Sequence, residues 1–149
     1  MPRPIPEGYH SLTPYLIVRG GAKALDWYAK AFGAKELFRM PGPDGRIGHA
    51  EMQIGNSRFM LADEAPERDV RAPQGSPPVH LMIYTEDCDA IFKLAIKAGG
   101  KELRPLANQC YGDRSGTLAD PFGHQWTIAT HVEDVSPEEM DRRMKQQGG

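Results

Sequence analysis

The strongest candidates for chemistry in this sequence are His49 and Glu51, which stand two positions apart in a segment of alternating polar and apolar residues. Side chains two positions apart on a β-strand point to the same face of its sheet. An imidazole and a carboxylate would therefore lie side by side, and a neighbouring carboxylate raises an imidazole's pKa toward neutrality. We accordingly predict that His49 and Glu51 are catalytic residues of a general base. The alternative is a hydrogen-bonded pair on a solvated sheet face.

Other strand-like segments add polar and aromatic side chains with the same orientation. If one sheet face packs against helices, alternation sends every second residue to the opposite, uncovered face. A solvated face would explain the polar residues alone, whereas a mixture of polar and apolar side chains is typical of a small-molecule cleft. Tyr111 precedes the polar pair Asp113 and Arg114, which could instead bond within their own turn. We predict ligand-binding roles, beside the apolar Phe59 and Met82, for Tyr15, His80, Tyr84, Tyr111, Gln125 and Thr127.

The pattern of one helix with flanking strands, which would position these residues, occurs twice in the chain. Residues 24–37 and 90–103 both carry apolar side chains at the i, i+3, i+4, i+7 spacing of a helix that buries one face. Both segments reach a glycine, where a left-handed helix end costs little, and both continue with Lys-Glu-Leu. Strand-like segments flank both helices, so each half is predicted to be a β-α-β-β-β module.

Together the two modules predict an α+β fold in a single domain over residues 1–149. The first strand is predicted over residues 11–18, with Leu12 under the helix. Ser136 and Pro137 are typical of a helix start. The predicted parts are module 1 over 9–64, a linker over 65–78, module 2 over 79–132 and a C-terminal helix over 136–146.

The overall composition narrows the class of partner. The 18 lysine and arginine residues nearly balance the 20 acidic residues, for a net charge of −2, and no basic stripe is present. Nucleic acid and anionic membranes are therefore not expected partners, and no apolar run reaches the roughly 18 residues that span a bilayer. The N-terminal residues lack the apolar core of a signal peptide. With two cysteines and no Cys-x-x-Cys motif, we expect a cytoplasmic protein with reduced thiols.

Five blocks of the chain resemble the vicinal oxygen chelate superfamily, whose fold includes glyoxalase I, extradiol dioxygenases, fosfomycin-resistance enzymes and bleomycin-binding proteins. The blocks are Pro14-Tyr15-Leu16, Trp27-Tyr28-Ala29-Lys30-Ala31-Phe32-Gly33, Gly48-His49-Ala50-Glu51-Met52, Tyr111-Gly112-Asp113-Arg114-Ser115-Gly116 and Asp120-Pro121-Phe122-Gly123-His124-Gln125-Trp126. The last two are similar to the PhnB-like branch. The resemblance implies that paired modules form a curved mixed-sheet cleft of the glyoxalase/bleomycin-resistance type.

The resemblance also implies a divalent metal ion in the cleft, held by His or Gln on the opening strand of each half and by Glu on the closing strand. The matching positions here are Thr13, Leu61, His80 and Thr127. His80 alone is an ordinary ligand, and a hard divalent ion needs several carboxylate or imidazole donors. The sequence therefore predicts neither the standard metal site nor another cofactor. A rebuilt divalent-metal site of His49, Glu51 and His80 is the alternative.

We therefore expect a protein that binds a small organic molecule in a shared cleft without the superfamily's standard metal, as bleomycin-binding relatives do. The alternative is a metal-dependent lyase, isomerase or transferase that uses the rebuilt site, so catalysis is left open. One module supplies only half of a closed cleft, and the linker is long enough for modules to exchange between chains. We predict a homodimer whose cleft combines residues of both chains.

Overall fold

Both halves of the chain fold in the predicted β-α-β-β-β order. The computed structural model describes residues 2–147, which contain eight strands and three α-helices. The first half comprises β1 (Tyr15–Val18), α1 (Gly21–Phe32), β2 (Lys35–Pro41), β3 (Ile47–Ile54) and β4 (Ser57–Asp63). The second half comprises β5 (Leu81–Tyr84), α2 (Cys88–Lys97), β6 (Lys101–Asn108), β7 (Asp113–Ala119) and β8 (Gln125–His131). A 3₁₀ turn (Pro66–Arg68) lies in the linker, and α3 (Pro137–Gln147) follows β8.

Each half forms its own four-stranded mixed sheet. The strand orders are β1-β4-β3-β2 in sheet 1 and β5-β8-β7-β6 in sheet 2. The first strand of each half runs parallel to the last, and the other neighbours are antiparallel. The two sheets are equivalent element by element, which confirms the α+β class and the paired modules. Within residues 2–147 the sheets stay separate and do not close on each other.

One hydrophobic core joins the helix-covered sides of both sheets. Helix α1 buries the stripe predicted from its spacing, including Tyr28 and Phe32, and α2 buries Phe92. The ring centroids of Phe32 and Trp126 lie 4.7 Å apart, so α1 packs directly against β8 of the other half. Because burial of apolar surface is the main driving force of folding, this shared core holds the two modules together.

A single buried carboxylate, Asp120, ties the two halves together. Its Oδ2 accepts hydrogen bonds from the Tyr28 hydroxyl at 2.5 Å and from the Trp126 Nε1–H at 2.8 Å. Its Oδ1 accepts from the backbone N–H groups of Phe122 and His124. Asp120 is only 6% exposed, so water cannot readily replace these partners. The carboxylate thus holds its own turn and joins that turn to α1.

The predicted start of the first strand is wrong. β1 begins at Tyr15 rather than at residue 11, and Leu12 is 89% exposed instead of packed under α1. The physical reason is Pro14, which has no N–H to donate to a strand ladder. Its carbonyl still accepts a hydrogen bond from the Met60 N–H at 2.9 Å, so regular pairing starts there.

Phe59 lies on the helix-covered side of sheet 1, whereas the sequence-based expectation placed it on the uncovered side. It pairs with Met52 across β3 and β4, and directly opposite residues of antiparallel strands share a face. Met52 is fully buried, and the Phe59 ring lies 5.7 Å from the ring of Tyr28. Phe59 therefore belongs to the core.

The C-terminal helix begins where the sequence predicts and packs on its own chain. The Ser136 hydroxyl accepts a hydrogen bond from the Glu139 N–H at 3.1 Å, which caps the helix start. The Arg143 guanidinium donates to the Cys110 carbonyl at 3.1 Å and pairs with Glu133 at 2.6 Å. These contacts place α3 beside the turn that leads into β7.

Replacing Asp120 with Ala should lower the free energy of unfolding by about 3 kcal/mol or more, because several buried donors lose their acceptor at once. Urea denaturation measures this loss. The matched control is Asp44→Ala, which removes an exposed turn carboxylate paired with Arg46 and should cause a clearly smaller loss. Equal stability of the two variants would contradict the role given to Asp120.

Candidate functional site

The side of sheet 1 that faces away from the helices, here called its open face, carries the residues predicted to be catalytic. His49 and Glu51 of β3 both point there, because the alternate residues of that strand are fully buried on the helix side. Tyr15 of β1 lies on the same face. β2 places Phe38 opposite Glu51 and Met40 opposite His49. The fold therefore surrounds an imidazole and a carboxylate with aromatic and apolar side chains.

A continuous chain of hydrogen bonds links four side chains at this face. They are called the His49 cluster and comprise Tyr9, Tyr15, His49 and Glu51. The Tyr15 hydroxyl lies 2.8 Å from His49 Nδ1, and His49 Nε2 lies 3.0 Å from Glu51 Oε2. The Tyr9 hydroxyl donates to the other carboxylate oxygen, Glu51 Oε1. His49 and Glu51 are each about a quarter exposed or less, whereas Tyr15 is 46% exposed. Tyr15 is thus the member most open to an incoming molecule.

The charges of the cluster follow from its contacts. The hydrogen bond from Tyr9 lowers the pKa of Glu51, and the hydrogen bond from His49 adds to that effect. Burial and the negative charge of Glu51 raise the pKa of Tyr15, and burial with the Glu51 contact raises the pKa of Tyr9 to about 12. At neutral pH the carboxylate is therefore ionised and both phenols keep their protons.

Tyr9 is a member of this site that sequence reasoning missed. It lies before β1, outside any strand, so neither helical nor strand periodicity indicates where its side chain points. Arg58 anchors it: the guanidinium carbon lies 5.1 Å from the Tyr9 ring centroid, and Nη1 donates to the Glu7 carbonyl at 3.1 Å. The segment before β1 is thereby fastened beside the open face of sheet 1.

Sheet 2 carries a second cluster on its own open face, called the Asp113 cluster: Tyr84, Asp113 and His131. The Tyr84 hydroxyl donates to Asp113 Oδ2 at 2.8 Å, and His131 Nδ1 lies 2.9 Å from Asp113 Oδ1. Asp113 is 3% exposed. The hydrogen bonds to Asp134 and to Asp113 raise the pKa of His131, and the bond to Asp113 raises the pKa of Tyr84.

The order of groups differs between the two clusters. In the His49 cluster an imidazole stands between the tyrosine and the carboxylate, whereas in the Asp113 cluster a carboxylate stands between the tyrosine and the imidazole. A tyrosine that donates to a carboxylate is held as a protonated phenol. A tyrosine that donates to an imidazole has a partner that can accept its proton near neutral pH.

The interpretation of Asp113 and Arg114 as a pair within their own turn needs correction. Asp113 does not pair with Arg114, whose guanidinium instead forms a bidentate pair with Asp89 at 2.7 and 3.0 Å. The His124 ring donates from Nε2 to the Ile17 carbonyl of β1 at 3.0 Å. That bond joins module 2 to the edge of sheet 1.

The remaining residues predicted to bind ligand all lie in module 2. The Thr127 hydroxyl is 2.9 Å from the Thr117 hydroxyl across β7 and β8, and Gln125 pairs with Ala119 at the strand end. His80 is exposed directly before β5, and Tyr111 is 42% exposed. Their meeting with the His49 cluster in one cleft stays a prediction, since they belong to the other sheet.

Tyr15 borders two cavities of the size that small molecules occupy. One has a volume of about 660 Å³ and lies between Ile17, Arg46 and Asp63. The other has a volume of about 540 Å³ and lies between Tyr15, Pro77 and His124. Tyr15 therefore lies beside space in which a ligand can lie.

The rebuilt metal site is not assembled by one chain. Among residues 2–147, no group of three or more His, Cys, Asp and Glu side chains is placed to hold a metal ion, so His80 does not join His49 and Glu51. The donor set that one chain offers at this position is one imidazole and one carboxylate, already bonded to each other.

Within residues 2–147, no helix is both long and apolar enough to cross a membrane.

The sequence blocks and the paired modules agree with a known family. The family model described as the Glyoxalase/Bleomycin resistance protein/Dioxygenase superfamily matches residues 9–128. The chain belongs to this superfamily. An uncharacterized protein of Mycobacterium bovis is 39% identical over 143 residues, which cover 93% of this chain and 94% of that protein. An uncharacterized protein of Mycobacterium tuberculosis shows the same identity over 84% of its length.

Solved structures of the superfamily share the fold. TioX from Micromonospora is 25% identical, with a TM-score of 0.67 over 83% of this chain and 99% of TioX. A PhnB protein from Bacillus cereus, described as a putative 3-demethylubiquinone-9 3-methyltransferase, is 17% identical, with a TM-score of 0.65 over 81% of this chain and 99% of its own. The likeness to the second structure concerns the fold, so assignment to the PhnB-like branch stays a prediction.

The Asp113 cluster predicts a pH-dependent contribution to stability. The pKa of His131 is raised in the folded chain, so its contribution is fully present below the unfolded pKa of about 6.5 and is lost as pH rises through the folded value. His131→Gln should therefore destabilise the protein more at about pH 5.5 than at about pH 9. Urea denaturation at both pH values measures the difference.

NMR titration of the imidazole provides the control for this effect. Asp134→Asn removes an exposed partner of His131 and should move the imidazole pKa back toward about 6.5. A His131 pKa at or below that of a free histidine in the unchanged protein would contradict the assignment.

Proposed function

We propose that this member of the superfamily binds a small organic molecule on the open face of sheet 1, in a cleft that a second copy of the chain completes. The observation that supports this most directly is the composition of that face. The His49 cluster lies beside Phe38 and Met40, which are 49% and 51% exposed. A few polar groups within exposed apolar surface are typical of a ligand site.

The arrangement of the two sheets supports association of two copies. Both sheets pack their helix-covered sides into one common core, and the opposite face of each sheet exposes apolar side chains in a single chain. The open face of sheet 2 exposes Met82 by 46% and Tyr84 by 62%. A homodimer in which sheet 1 of one chain faces sheet 2 of its partner would cover both faces and bring the two clusters into one cleft.

The metal-dependent alternative has less support. It needs His80 beside His49 and Glu51, and one chain does not bring these three together. A second copy would have to supply that imidazole.

The thiols of Cys88 and Cys110 are free, as expected in a reducing compartment, and the cytoplasmic location stays a prediction.

Light scattering and a ligand screen with matched variants test the proposed function. We expect the unchanged chain to have twice its 16.5 kDa mass in solution. Some members of a panel of small phenols, aromatic acids and quinones should raise its melting temperature. Phe38→Glu places a charge on the open face of sheet 1, so it should both dissociate the dimer and abolish these shifts. Leu94→Glu changes an equally exposed residue of α2 and should leave both unchanged.

The two parts of the proposed function can fail separately. A monomer that still binds panel compounds, with binding lost in Phe38→Glu, would remove the dimer but keep the site. A dimer whose ligand shifts survive Phe38→Glu would place the binding site elsewhere in the chain.

A further inference from the structure

The open end of the His49 cluster is a phenol whose hydrogen bond leads to a partly buried carboxylate. The hydrogen-bonded order is Tyr15, His49 and Glu51, with contacts of 2.8 Å and 3.0 Å. Both distances are those of ordinary hydrogen bonds. No break separates the hydroxyl of Tyr15 from the carboxylate of Glu51.

The direction of each hydrogen bond follows from the chemistry of the partners. An ionised carboxylate can only accept, so His49 must carry a proton on Nε2. In the neutral imidazole Nδ1 then has a free lone pair, and the Tyr15 hydroxyl donates to it. Tyr9 donates to the second carboxylate oxygen, which keeps Glu51 ionised and fixes its orientation. The lone pairs of the Tyr15 oxygen remain available to a ligand.

We propose that Tyr15, His49 and Glu51 form a proton relay that ionises the acidic hydroxyl of an aromatic ligand, a phenol or a cyclic enol, bound on the open face of sheet 1. This proposal rests on the proposed function, because it uses the same site. Tyr15 would be the catalytic residue that touches the ligand. His49 would accept the proton through Tyr15, and Glu51 would be a positioning residue.

The proton balance of the step is simple. The ligand O–H bond breaks as its proton binds the Tyr15 oxygen, and at the same time the original Tyr15 proton moves to His49 Nδ1. The products are a ligand phenolate and an imidazolium that donates to Glu51. No electron is transferred, and Tyr15 ends as a neutral phenol. The reverse transfer returns the proton when the ligand leaves.

The class of ligand follows from acidity and from the neighbouring surface. An imidazole takes protons efficiently from acids whose pKa lies near its own, which favours phenols and enols over aliphatic alcohols. The Phe38 ring lies 6.2 Å from the His49 ring, and the Tyr15 ring lies 5.5 Å from it. A flat aromatic ligand can pack against such rings.

The charged and polar groups around the imidazole come from several elements. Glu51 contacts it directly, Tyr9 contributes a neutral hydroxyl, and Arg58 acts on Glu51 from the neighbouring strand. The negative charge lies nearer to His49 than the positive one does, since Arg58 donates to Gln53 and to the Glu7 carbonyl. An imidazolium formed here therefore has a hydrogen-bonded counter-ion.

The test uses 4-nitrophenol, whose neutral and ionised forms absorb at different wavelengths. The measurement is the ratio of phenolate to phenol in the bound probe, at a pH equal to the pKa of the free compound, where most of an ordinary imidazole is still neutral and can accept a proton. We expect this ratio to be about tenfold higher in the complex than in solution. Tyr15→Phe and His49→Gln should return it to the solution value even where binding persists, because they break the relay without removing the aromatic surface. Glu51→Gln should lower the ratio as well.

Tyr84→Phe is the matched control, because Tyr84 donates to a carboxylate instead of an imidazole. It should leave the bound ratio unchanged. Titration calorimetry in buffers of different ionisation enthalpy adds a second measurement: the unchanged protein should release almost no proton to the buffer, because His49 retains it.

Each other outcome overturns the relay in a recognisable way. A probe that binds in its neutral form removes the relay and leaves the proposed binding function intact. A phenolate that persists in Tyr15→Phe or His49→Gln shows that another group ionises the ligand. If no phenol of the panel binds while its aromatic acids or quinones do, the assignment of phenols is wrong. If no compound of the panel binds, the proposed function fails together with the relay.

Discussion

Asp120 bonds to Tyr28 of α1 and to Trp126 of β8 with the same carboxylate oxygen, and the placement of the two sheets depends on this contact. Apolar packing alone allows two modules to slide against each other, since it has little directional preference. A buried acceptor with donors on both modules adds a directional constraint to that packing. With the helix-covered sides joined in this way, both open faces point away from the shared core.

The strand assignments show which features of a sequence determine orientation. The pair His49 and Glu51 was placed correctly because Ala50 and Met52 must be buried and a tight Gly55-Asn56 turn pins the register of β3 and β4. The predicted direction of Leu12 is wrong because regular strand pairing begins only after Pro14. The alternation of side chains along β1 therefore cannot be extended back to Leu12. Phe59 was misplaced because its direction follows from its partner Met52, and cross-strand partners are not visible in the sequence of one strand.

The candidate site was predictable only in part, for a related reason. Alternation could bring Tyr15, His49 and Glu51 to one face, but it could not say that His49 lies between the other two. That order depends on distances between side chains of different strands. In addition, the pairing of β2 with β3 is irregular near Met40. The sequence indicates Tyr111, Asp113 and Arg114 as a polar block, but it does not indicate that the partners of Asp113 are Tyr84 of β5 and His131 of β8. Tyr9 left no periodic signal at all.

Substitutions in the segment before β1 can alter the acidity of the His49 cluster without changing a strand. Gly8 has a φ of +87°, and a Cβ at this position would collide with the Arg58 guanidinium. Arg58 in turn holds Tyr9 over Glu51. Substitutions at position 8 or 9 would therefore weaken the hydrogen bond from Tyr9 to Glu51 and change the proton affinity of that carboxylate, while sheet 1 stayed intact. Related chains can in this way diverge in chemistry through a stretch that contributes nothing to the core.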